Sequence, residues 1–170
     1  DQLFFIDHDT FNSADAYQMI DENVIVTNNI IGVSNYDIGH LFFKVDNADD
    51  SNGLANTPAI CSNNLKAGGV TGTVAPVGDA FDIDFTAHEL GHQLGANHTQ
   101  NNNCNRSSSS AMAPGSGSTI MAYTGICAPN VQQNSSAYYH TRSIDEMNTV
   151  LNRVTCAQLV PTTNVAPVIT

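Results

Sequence analysis

HELGHQLGANH, residues 88–98, decides how this chain is read. His88 and His92 stand four apart. On a helix that spacing stacks both imidazoles on one face, a turn apart, where they can hold one metal ion. Glu89 lies beside the first histidine, placed to serve a water on that metal. Gly95 can take the positive φ that ends a helix, and the turn would swing His98 back as a third ligand. Three neutral imidazoles leave a fourth tetrahedral position open, the pattern of a catalytic zinc rather than a structural one.

An isolated HExxH is weak, because solvated helix faces often carry two histidines and a glutamate. Gly95 and His98 at the required spacing make the metal reading the stronger one. The flanks agree. Phe81, Ile83, Phe85 and Ala87 give the helix start an apolar approach, and Leu90 and Leu94 would face the core.

The 170 residues suit one domain with room for a sizeable core. No run of 18 apolar residues exists, so the sequence offers no membrane-spanning helix. The net charge of −11 argues against nucleic acid or an anionic membrane as partner. The start at Asp1 shows no signal peptide, and we expect a mature or trimmed form. Cys61, Cys104, Cys127 and Cys156 form no CxxC pair, which disfavours a thiolate metal site and fits two disulfides in an oxidising compartment. Of the three pairings, Cys104–Cys127 would close the loop after the histidines and Cys61–Cys156 would tie the terminal helix to the sheet; buried free thiols are the alternative.

Taken in order, Leu3 to Ile6 reads as a short strand, and Asp7-His8-Asp9 as a solvated turn rather than a metal site. Ser13 to Ile31 suits helix or strand. Tyr36 to Val45 reads as a buried strand, with His40 a hydrogen-bonded core histidine. Asp46, Asp49 and Asp50 lack the spacing and closing glutamate of a calcium loop, so calcium binding is conceivable without a motif to support it. Gly53 to Ala55 and Val70 to Val74 read as strands. Asp82 and Asp84 suit a helix N-terminus. Thr99 to Gly117 is a loop, and Met121 in TIMAY is either core filler or a floor beneath the metal. Ser143 to Val154 is a helix, with Ser143 and Glu146 as a capping box and Met147, Val150, Leu151 and Val154 as its apolar face. Residues 1–160 are expected to form one catalytic domain, with 161–170 as the stub of a linker.

HELGHQLGANH with Met121 resembles the metzincin zinc endopeptidases. Gly53-Leu54-Ala55, with Cys61 six residues later and the HELGH helix after an apolar strand, resembles the adamalysin or reprolysin group, closest to its secreted bacterial members. The resemblance covers residues 36–156. It implies an α+β (mixed α/β) zincin-like domain with a twisted, mostly parallel sheet of about five strands, an antiparallel edge strand, an active-site helix and a C-terminal helix. It implies that the N-terminal strand and helix of the family are shortened or missing before Tyr36. Carried over residue by residue, His88, His92 and His98 are zinc ligands, Glu89 is the general base, and Met121 is the turn methionine. Gly53, Leu54 and Ala55 pair with extended substrate, and Thr124, Tyr138 and Tyr139 line its pocket. The sequence departs from the group at Thr99, where an aspartate is usual. Tyr123, two beyond the methionine, resembles the astacin and serralysin placement; it either serves zinc and the oxyanion or packs in the pocket wall.

These readings imply a secreted, monomeric zinc endopeptidase acting on proteins or peptides. The alternative is a zinc-bearing adhesion or binding module that has lost catalysis, and a third reading is a deacylase or other zinc hydrolase.

Overall fold

The computed structural model describes residues 3, 9–11, 15–50, 52–158, 160–163, 165 and 168. Residues 4–6 of the strand expected at Leu3 to Ile6 and the Asp7-His8 part of the turn lie outside them, as does much of 161–170.

Helix α1, Ala16–Ile30, settles the ambiguous N-terminal stretch. Asp15 caps it, its carboxylate accepting from the Tyr17 amide at 2.9 Å. Ala16, Met19, Asn23 and Thr27 recur at helical spacing and are the residues it buries. That face overrides the strand preference of Val24-Ile25-Val26, which leaves Ile25 exposed. Asn23 donates to the Ala67 carbonyl at 2.7 Å and so pins the helix to the chain entering the sheet.

The sheet holds strands β1, Leu41–Lys44, β2, Asn52–Ala55, and β3, Gly69–Thr73, in the order β1-β3-β2. β1 runs parallel to β3, with Leu41 opposite Val70, and β2 runs antiparallel, with Leu54 opposite Val70. Val70 packs with Ala16 and Met19 of α1, and Leu41, Phe43 and Leu54 close around them. The sheet is therefore mixed, with its antiparallel strand at an edge, but the described residues supply three strands rather than about five. Only the end of the Tyr36 to Val45 stretch is strand. Among the described residues β1 is an edge, and its Phe42 is 54% exposed. His40 is the hydrogen-bonded histidine expected. Its Nδ1 donates to Gln93 Oε1 at 2.8 Å, since the Gln93 amide is committed to the Gly39 carbonyl. Its Nε2 then accepts from the Thr71 hydroxyl at 2.7 Å.

The apolar approach to the histidines is not a strand. Ala80–Ala87 is a π-helical segment that runs without a break into α2, His88–Gln93. Helix α3, Thr141–Leu151, also departs from expectation. Its cap is His140, whose Nδ1 accepts from the Arg142 amide at 3.0 Å. Ser143 is buried inside the helix with its hydroxyl unpartnered, so there is no capping box. Met147 faces inward and joins Ala96, Ile120 and Met121 in a second core cluster, whereas Leu151 is 41% exposed. Cys61 is bonded to Cys156 and Cys104 to Cys127. Met147→Ala should therefore cost about 2–5 kcal/mol in denaturant unfolding. Leu151→Ala should cost no more than about 0.5 kcal/mol. Equal losses would contradict this packing.

Candidate metal centre

α2 carries His88 and His92 one turn apart and then stops. The Gly95 amide donates to the His92 carbonyl at 2.8 Å and the Ala96 amide to the Gly91 carbonyl at 2.9 Å, a Schellman turn. Gly95 at its corner has φ +105°, and a Cβ there would lie 2.4 Å from the Val150 side chain. Only glycine fits. The turn reverses the chain and brings His98 back toward the helix. His98 Nε2 lies 3.0 Å from His92 Nε2 and 3.2 Å from His88 Nε2.

These contacts are not hydrogen bonds. His88 Nδ1 faces the Ile120 carbonyl at 2.7 Å, His92 Nδ1 the Ala96 carbonyl at 2.7 Å, and His98 Nδ1 the Asn105 carbonyl at 2.8 Å. A carbonyl only accepts, so each Nδ1 carries the ring proton. Each Nε2 is then a bare lone pair, and the three lone pairs point at one another. Burial favours the neutral rings, and repulsion from neighbouring histidines adds to it at His88 and His92: His92 is pushed down to about 4, and His88 and His98 are also lowered. Three converging lone pairs are unfavourable unless a cation lies among them. Tetrahedral zinc with Zn–N of about 2.0–2.1 Å requires nitrogens roughly 3.3 Å apart, so the donor set fits that ion. Among the described residues, this is the group of three suited to a metal.

Glu89 is buried next to the triad, and burial pushes its carboxyl up to about 8. A dication nearby acts in the opposite direction. Opposite lies β2, whose outer edge pairs with no strand among the described residues. Gly53, Leu54 and Ala55 line a cleft with Glu89, His92 and His98. A Cβ on Gly53 would lie 2.5 Å from Glu89 Oε1, so the carboxyl occupies space that only glycine leaves open.

A family model for metallopeptidase family M12B, reprolysin-like, matches residues 8–152. The chain belongs to this family. It is a zinc metallopeptidase domain of the M12B type, and the histidine triad is compatible with a metzincin zinc site. No curated protein matches the chain.

In this reprolysin-like domain Thr99 stands where the group usually has aspartate, and it joins the segment after α2 to the turn that carries Met121. Its amide donates to the Met121 carbonyl at 2.9 Å, its carbonyl accepts from Ala113, and its hydroxyl meets that of Thr119 at 3.4 Å. Met121 is fully buried beneath the helix. The Tyr123 ring packs edge-on against His98, centroids 4.5 Å apart, and its hydroxyl accepts from the Asn105 side-chain amide at 3.0 Å.

A cavity of about 380 Å³ opens beside His88 and Glu89. The π-helical segment walls one side with Ala80 and Phe85, and Thr124, Gly125 and Ile126 wall the other. Asp84 accepts from the Ser135 amide at 2.7 Å and so holds the 133–135 segment against this wall, a tie more specific than the helix-dipole role expected. Thr124 lines this cavity; Tyr138 and Tyr139 do not. Tyr138 is exposed, and Tyr139 packs into the core below, donating to the Ala87 carbonyl at 2.6 Å. Sequence reasoning also missed Asn105, whose carbonyl orients His98; its position next to Cys104, in the loop that the Cys104–Cys127 bond closes, is the available signal.

Zinc titrated into chelator-treated protein should raise the unfolding temperature, by an amount corresponding to about 4 kcal/mol at a thousandfold excess over Kd. His98→Ala should abolish most of that rise. A rise that survives in His98→Ala would place the ion elsewhere.

Proposed function

We propose that this domain is a secreted zinc endopeptidase that cleaves extended protein or peptide chains, with His88, His92 and His98 as the metal ligands. The observation that carries the reading is the free edge of β2 facing Glu89 and the triad across one cleft. A peptide can add to that edge as a further strand through Gly53, Leu54 and Ala55, so its backbone bonds give affinity. One of its side chains would enter the cavity walled by Phe85, Thr124 and Ile126, which gives preference.

A zinc ion, when bound, supplies a Lewis acid that polarises a carbonyl and makes water acidic. Glu89 accepts the proton of the attacking water and delivers it to the departing amine nitrogen. Its burial supports this role, because a carboxyl that binds a proton readily can also pass it on. Tyr123 accepts from Asn105, which leaves its own hydroxyl proton to donate toward the developing oxyanion. Met121 floors the ligand helix. No protein nucleophile takes part.

Two disulfides support an extracellular setting, and among the described residues no helix is long and apolar enough to cross a membrane. We read residues 1–160 as the catalytic unit and 161–170 as a linker. A zinc-bearing binding module without activity is not favoured, since Glu89 stands in the motif beside the triad.

Glu89→Gln should lower the rate of peptide cleavage by about 10²–10⁴-fold while zinc content stays at one per chain. Undiminished cleavage by zinc-loaded Glu89→Gln would remove Glu89 from the role of base.

A further inference from the structure

Glu146, expected to serve a capping box, is used differently. Its side chain is 10% exposed and points from α3 into the turn that delivers the third histidine. Oε2 accepts from the Asn97 backbone amide at 2.9 Å. Oε1 accepts from the Asn97 side-chain amide at 3.3 Å, from the Ser110 hydroxyl, and from Arg142 at 3.2 Å. The carboxylate is saturated with donors from three separate segments.

Asn97 occupies a particular place. The residue before it, Ala96, offers the carbonyl that orients His92. The residue after it is His98 itself. Residues 96–98 follow the Schellman turn and belong to no helix or strand, so no ladder holds the Asn97 amide. A single carboxylate thus grips the residue that joins two imidazoles of the triad.

We propose that Glu146 is a positioning residue for the metal centre: by holding Asn97 it aligns His92 and His98 so that both present Nε2 to one ion. It acts through Asn97 and has no contact with the triad's ring nitrogens. The inference rests on the metal reading of the triad. It differs from a role in docking α3, which Met147 and Val150 already supply through the core and the Gly95 corner.

The test is zinc affinity of the full chain, measured by competition with a chromophoric chelator. Glu146→Ala should weaken zinc binding by about 10–100-fold, the effect of losing an outer partner of a metal ligand. Glu146→Met, which keeps the stem but has no acceptor, should show the same loss and serves where the alanine variant does not fold. Glu146→Gln, whose amide oxygen still accepts from Asn97, should recover most of the loss. Arg142→Ala, which removes an outer partner, should stay within about twofold of wild type, and so should Met147→Ala, which loosens α3 from the core. The inference is overturned if zinc-binding wild type and both acceptor-free variants agree within about twofold, or if Met147→Ala weakens binding as much as they do. Wild-type protein that takes up no zinc overturns the metal reading itself, and this inference with it.

Discussion

Three imidazole lone pairs are forced to face one another, and the rest of the structure makes that possible. Behind each ring stands a backbone carbonyl, from Ile120, Ala96 and Asn105, that claims the Nδ1 proton and leaves Nε2 bare. The three carbonyls come from three parts of the chain. Ile120 lies beside the buried Met121, Ala96 ends the Schellman turn, and Asn105 follows a disulfide cysteine. Metal-binding rings are oriented by such partners as much as by the helix that carries them. The core below, in which Ala96 and Ile120 pack with Met121, therefore fixes the direction of the donors as well as stabilising the fold.

The cleft follows from the same packing. β3 is covered on both edges, which leaves β2 as an open edge on the side of α2. His40, Gln93 and Thr71 lock the sheet to the ligand helix through a continuous hydrogen-bond chain, so edge and triad keep one relative position. Gly53 permits the closest approach, with Glu89 in the space a side chain would fill. A second, larger cavity of about 530 Å³ lies along β1, at the other edge of the sheet from this cleft.

The ligand set was legible in residues 88–98 because it depends on local spacing. The i, i+4 pair fixes two rings on one face, and a glycine at the helix end fixes the return of a third. Both disulfide pairs followed from which segments needed closing. What failed depended on the partner rather than on the pattern. Phe81, Ile83, Phe85 and Ala87 alternate as a strand would, yet the segment is a wide helical turn in which none of these residues is fully buried. Ser143 and Glu146 have capping-box spacing, but helix α3 begins earlier, at Thr141, and Glu146 finds a distant donor in Asn97. Backbone carbonyls have no letter of their own in a sequence, so the groups that orient the rings could not be read from it.

Zinc K-edge X-ray absorption on the purified, zinc-loaded domain tests the convergence of the three rings directly. The account predicts one ion bound by three imidazole nitrogens at about 2.0–2.1 Å, with the multiple-scattering signature of histidine rings lost stepwise in single-ligand variants. A first shell with fewer than three imidazoles, or one containing sulfur, would contradict it.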